Sequence, residues 1–315
     1  MKLFAMALAL VALTASAGHG AESAVAKGTR LYNEGKYEQA LKAFHVSRMR
    51  DLTREAYFAW GMSAYKLGKF ESAALKFLEA ARMYPLDGDL KALLGECYLK
   101  AGKPAKALVR LRETDKLPVK DRAAALLMWG AAANMTGYGE EALEKYMQAR
   151  KIAPSMTFET SLGIGTALLI LKRYDEAERE LAEAVRLRPG DAEAVGNLGE
   201  VNIKLGKHAD AEKILLNAAR LDPGAGIHHY NLACVYALTG RTQEACGALS
   251  KAAKMGFSAI QYAGADPDLQ SLKDEECFRN ISGRGEQAGK RDAKPVKKKS
   301  EGRRTGAPEA PEPEL

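Results

Sequence analysis

Apolar residues recur along this chain at helical intervals, and they do so in blocks. Between Tyr57 and Pro85 the block reads Tyr57, Trp60, Gly61 and Tyr65, then, beyond Gly68, Ala73, Phe77 and Ala80. Steps of three and four residues put each set on one face of a helix. Gly68 breaks the pattern in the middle, and Pro85 ends it because proline cannot continue a helix. The block therefore predicts two helices joined at a glycine. No alternating apolar pattern is long enough to argue for a sheet.

The block returns down the chain. The central position falls at Gly35, Gly68, Gly102, Gly137, Lys172, Gly206 and Gly240. Five residues later come Ala40, Ala73, Ala107, Ala142, Ala177, Ala211 and Ala245, at spacings of 33, 34, 35, 35, 34 and 34. Seven hits in register make a repeat array. A length of 315 residues would by itself suggest two domains; an array instead grows by addition of units that bury their apolar faces on their neighbours. The small position of each first helix (Gly61, Gly95, Gly130, Gly199) is expected to face the alanine of the second, with Trp60, Phe77, Trp129 and Tyr146 filling the space beside that contact.

The skeleton resembles the tetratricopeptide repeat (TPR). The family pattern of aromatic or Leu, Gly, Tyr, central Gly, Ala, aromatic or Leu, Ala and Pro is matched by Tyr57, Trp60, Gly61, Tyr65, Gly68, Ala73, Phe77, Ala80 and Pro85. It is matched again by Leu94, Gly95, Tyr98, Gly102 and Ala107; by Trp129, Gly130, Gly137, Ala142, Tyr146, Ala149 and Pro154; and by Leu198, Gly199, Gly206, Ala211, Leu215, Ala218 and Pro223. The resemblance spans about Ala21 to Met255. It implies an all-α fold: a right-handed superhelical solenoid of antiparallel helix pairs, with about seven repeats over residues 18–255. The third second helix is expected to be short, ending near Leu117 and Pro118.

The two ends differ from the array. Met1 and Lys2, an apolar run from Leu3 to Leu13, and Ala15-Ser16-Ala17 have the form of a signal peptide cleaved near Ala17. The run is too short to span a bilayer. This predicts a periplasmic or secreted protein; a hydrophobic fraction of 47 % and a mean hydropathy of −0.28 suit a soluble helical chain. After Gly256 the repeat stops. Residues 256–282, with Asp266-Pro267-Asp268 as a turn and helix start, are expected to cap the last apolar face. Residues 283–315 are expected to be a disordered tail, basic and then rich in Pro and Glu. Nine Lys or Arg against three acids lie between Arg284 and Arg304. Lys297, Lys298, Lys299, Arg303 and Arg304 could tether the chain to an anionic membrane or cell-wall surface. Export and the lack of interleaved aromatics argue against nucleic acid.

Little else carries chemistry. Cys97, Cys234, Cys246 and Cys277 are read as buried thiols, with one disulfide involving Cys246 or Cys277 as the alternative. No Cys-x-x-Cys pair exists, and His228 and His229 are adjacent rather than one helical turn apart, so no metal site is predicted. Gly163-Ile164-Gly165 lies within a helix and reads as a contact position, not a dinucleotide loop. Catalysis, cofactor and small-molecule substrate are all unsupported.

What the resemblance implies is a groove lined by the first helices. Its positions carry over to Phe58, Met62, Tyr65, Leu99, Leu127, Met135, Leu162, Leu169, Ile203 and Tyr230, with Glu96, Lys100, Asn134, Thr166, Ile170, Glu200, Lys204 and Leu238 among them. The surface is largely apolar and lacks the Lys, Arg and Asn clamp with which chaperone-binding members hold a carboxylate. It suits an extended segment or an amphipathic helix of an envelope protein. Two other readings fit the same residues: a cytosolic TPR adaptor with an uncleaved N-terminus, and a cell-wall or polysaccharide binder stacking sugars on Tyr65, Tyr98 and Tyr230.

Overall fold

The computed structural model of the chain describes residues 22–280 apart from Tyr84. The expected signal peptide, the last two residues of the expected cap and the tail lie outside that range. Two compact units divide between Pro223 and Gly224.

The first unit holds six helix pairs: α1 (Ala24–Asn33) with α2 (Tyr37–His45), α3 (Arg54–Lys66) with α4 (Phe70–Met83), α5 (Gly88–Lys100) with α6 (Pro104–Arg112), α7 (Arg122–Met135) with α8 (Gly139–Ile152), α9 (Thr157–Ile170) with α10 (Tyr174–Leu187), and α11 (Ala192–Lys204) with α12 (His208–Leu221). The second unit holds α13 (Gly226–Leu238) and α14 (Thr242–Lys254), then two 3-10 helices, Ser258–Ala265 and Pro267–Leu272. A last helical turn follows at 276–280. Among the described residues there is no strand.

One turn joins the helices of every pair. The central glycines take φ between 68° and 81°, the left-handed region that glycine enters without cost, and Lys172 takes 60° in the fifth turn. The residue after each central position returns its N–H five residues back, as in Lys69 to Ala64 O at 2.9 Å and Arg173 to Leu168 O at 2.9 Å. This bond closes the first helix, while α2, α6, α8, α10, α12 and α14 begin without a side-chain cap. Several first helices do have one: Ser23, Thr53, Asp87, Asp121 and Asp191 each accept an N–H from the first turn.

Packing within a pair differs from the expected arrangement in one respect. The atoms nearest a Cβ at Gly61 belong to the ring of Phe77, not to Ala73. The same holds for Gly28 with Phe44, Gly95 with Leu111, Gly130 with Tyr146, Gly165 with Leu181 and Gly199 with Leu215. The glycine thus leaves room for a large buried side chain of the second helix. Phe44, Phe77, Leu111, Leu181 and Leu215 are fully buried there; truncating such a phenylalanine to alanine costs about 3–5 kcal/mol.

The third pair is irregular. Its second helix ends at Arg112, five residues before the expected Leu117. Tight turns replace its last turn: Thr114 N–H bonds Leu111 O at 3.0 Å, Leu117 N–H bonds Thr114 O at 3.1 Å, and the Arg122 guanidinium donates to Thr114 O and Leu117 O.

Candidate binding groove

Within the first unit each second helix packs on the next first helix, and first helices also meet directly: α1 with α3, α5 with α7, α7 with α9, and α9 with α11. With the Tyr65–Glu96 bond bridging α3 to α5, the odd-numbered helices of this unit follow one another in a row. Their seams are joined by polar bonds from one repeat to the next. Tyr65 OH donates to Glu96 Oε1 at 2.5 Å, Asn134 Nδ2 to Gly163 O at 2.9 Å, and Asn197 Nδ2 to Thr166 Oγ1 at 3.1 Å. The Lys100 ammonium stands 3.9 Å from Glu96 Oε1. Burial, reinforced by the bond to Glu96, raises the Tyr65 phenol well above its ordinary value, so it stays a donor.

The second helices are held differently, by ion pairs between successive repeats. Lys103 pairs with Glu71 at 2.8 Å, Arg112 with Glu141 at 2.6 Å, Arg150 with Glu180 at 2.6 Å, and Lys207 with Glu178 at 2.6 Å. Glu141 is the most heavily engaged. It takes both arms of Arg112 and the Trp129 indole N–H at 2.6 Å, and the guanidinium holds its carboxyl below the usual range.

The ten expected groove positions spread over four situations. Met62 and Ile203 are packed inside, at 8 % and 5 % exposure. Phe58, Tyr65, Leu99, Leu127, Leu162 and Leu169 are half-buried along the odd helices. Met135 stands out from the end of α7 at 60 % exposure. Tyr230, in the second unit, lies under the C-terminal segment: its ring meets Phe257 at 5.1 Å and its hydroxyl donates to Asp266 Oδ2 at 2.6 Å. The basic tail positions Lys297, Lys298, Lys299, Arg303 and Arg304 lie outside the described residues. Asn197 was missed by sequence reasoning; its one signal is its 31-residue offset from Thr166, the same as that of Tyr65 to Glu96.

Cysteine corrects the favoured reading. Cys246 and Cys277 form a disulfide with Cα atoms 5.8 Å apart, while Cys97 and Cys234 are buried thiols. The pairing joins α14 to the 276–280 turn, a contact no local pattern could reveal. Burial in apolar surroundings pushes the Cys97 thiol up to about 12. Cys234, Asp266 and Asp268 are near enough to share a cation. Asp266 is already committed, however, taking Tyr230 OH on one oxygen and Asp268 N–H on the other. Among the described residues no helix is long and apolar enough to cross a membrane.

The tetratricopeptide repeat family model matches residues 58–111, 162–226 and 203–260. No curated protein matches the sequence. Among solved structures, a tetratricopeptide repeat protein from Parabacteroides merdae is 15 % identical with a TM-score of 0.59, covering 84 % of this chain and 98 % of its own. The Cut9–Hcn1 hetero-tetramer of the APC/C matches at 15 % identity and a TM-score of 0.54, over 83 % of this chain and 55 % of that one. MamA from Desulfovibrio magneticus is 24 % identical over 54 % of this chain and 96 % of its own, with a TM-score of 0.45. Glycine turns at a common period, paired helices stacked in register and the matching family model agree: the chain belongs to the tetratricopeptide repeat family.

Proposed function

We propose that the chain is an exported protein-binding scaffold, holding an extended segment or amphipathic helix of an envelope protein along the odd-numbered helices. The observation that carries this reading is the half-buried apolar row Leu99, Leu127, Leu162 and Leu169 with Met135 exposed beside it, set on helices that touch from repeat to repeat. A preformed apolar surface of this kind binds by shape and by exclusion of water, without chemical turnover. The Cys246–Cys277 disulfide supports export, since such bonds persist in oxidising compartments. The basic tail adds an electrostatic hold on an anionic surface. A sugar-stacking role has less behind it, because the Tyr65 and Tyr230 hydroxyls are occupied by carboxylates and the Tyr230 ring by Phe257.

The test is crosslinking in the native cell envelope from a photoreactive residue at Met135 and at Leu169, with the adducts read by mass spectrometry. One protein captured from both sites supports the groove. Crosslinks from a probe in the 284–304 tail alone would reject it and leave the array a spacer. N-terminal sequencing of the native protein tests export, and a start at Met1 would refute it.

A further inference from the structure

The segment after α14 stands where the first helix of an eighth repeat would stand. In the first unit the bonds that join neighbouring first helices link residues 29 to 31 apart. In the second unit Tyr230 OH donates to Asp266 across 36 residues and Ser271 Oγ donates to Ala237 O across 34. The 3-10 helix Pro267–Leu272 packs on α13 with Leu269 and Leu272 fully buried, and Asp266 also lies 4.0 Å from the Cys234 thiol. A surrogate helix covers the flank of α13.

Its hold is uneven. Helices of 3-10 type have poorer hydrogen-bond geometry than α-helices and are used in short pieces. The covalent tie is the disulfide, which spans 31 residues and joins the far end of the segment to α14. Both of its cysteines are part-exposed, whereas Cys97 and Cys234 are buried. A reductant in solution therefore meets the disulfide before either thiol.

We infer that Cys246–Cys277 is a reducible latch, whose opening releases the C-terminal segment from α13 and uncovers a cryptic site: the Tyr230–Ala237 flank with the Cys234 thiol on it. The agent is a dithiol. One of its thiolates attacks a sulfur of the disulfide, the second resolves the mixed disulfide, and two electrons and two protons pass to Cys246 and Cys277 as the dithiol closes on itself. The bared flank is the seat on which a first helix packs in the other repeats, and Cys234 becomes open to modification.

The first unit supplies the control. The full-length oxidised protein is treated with dithiothreitol under native conditions, pulsed with iodoacetamide, and mapped by mass spectrometry at all four cysteines. As Cys246 and Cys277 become alkylated, labelling of Cys234 should rise more than about tenfold, the signature of a local opening, while Cys97 stays protected. A protected Cys234 beside alkylated Cys246 and Cys277 overturns the latch. So does Cys97 labelling in step with Cys234, which means global unfolding, and so does a disulfide that resists dithiothreitol. The double variant Cys246→Ser/Cys277→Ser, with helical circular dichroism retained, should expose Cys234 without reductant; protection there overturns the inference equally.

Discussion

Tyr146 of α8 packs its ring against the bare backbone of Gly163 in α9, the next repeat. A Cβ at Gly163 would fall inside the ring's van der Waals envelope, and one at Gly130 would meet Tyr146 Cε2 at 2.7 Å. One ring thus wedges between two glycines, one in its own repeat and one across the seam. Gly163→Ala should cost about 1–3 kcal/mol through overpacking, seen as a lower midpoint in urea with an unchanged slope. Adding Tyr146→Leu should recover part of the loss; if Gly163→Ala alone is neutral, the wedge is not a constraint.

Much of this was open to reading in the sequence, because the array repeats its own evidence. A central glycine at six related places, with Lys172 at the seventh, fixes helix ends that a single instance would leave ambiguous. Gly163 and Gly165 were readable as contact positions, but not as contacts in opposite directions, Gly163 backward to Tyr146 and Gly165 forward to Leu181. The groove was legible as a set of positions, not as a surface. Met62 and Met135 share a residue type, yet one is packed and the other exposed, and neighbours from other repeats decide which. The Cys246–Cys277 pair was hidden for the same reason, since the segment that carries Cys277 lies beyond the repeat.

Lys172 pays for its place in the fifth turn. It holds φ at 60°, where a side chain crowds the backbone, while six central glycines take similar angles freely. Lys172→Gly should stabilise the first unit by about 1 kcal/mol, measured by denaturant titration. A loss of stability would show that the lysine side chain contributes more than its backbone costs.

Glu141 makes the fourth repeat sensitive to acid. Its folded carboxyl is held below the value of about 4.3 that the unfolded chain carries, chiefly by Arg112 and then by Trp129. The stability it contributes is fully present above that unfolded value and is lost as pH falls through the lower folded one. Glu141→Gln should remove about 1–2 kcal/mol at pH 7 and leave a flatter stability curve between pH 5 and 3, on the order of what a charged hydrogen bond supplies. Parallel curves for the two proteins would remove Glu141 from the account.

Two methionines separate folding from binding. Met62→Asp should unfold its neighbourhood, since a carboxylate would be buried among apolar side chains at a site 8 % exposed. Met135→Asp should leave circular dichroism and thermal midpoint unchanged and reduce capture of the groove partner about tenfold or more, as loss of an interface anchor does. Full binding by a folded Met135→Asp protein would count against the groove.

The first unit is hinged with one material and braced with another. Its odd helices meet mainly through packed carbon and the side-chain bonds at Tyr65, Asn134 and Asn197, with an ion pair, Arg54 to Asp87, between α3 and the cap of α5. Its even helices are strutted by long charged side chains, Glu71 to Lys103 through Glu178 to Lys207, all partly open to solvent. Such struts are screened over a Debye length of about 8 Å at physiological salt and about 3 Å at 1 M. Raising ionic strength should therefore soften the even-helix side more than the other. The unit then behaves as a leaf spring whose stiffness on its braced side is set by the surrounding electrolyte.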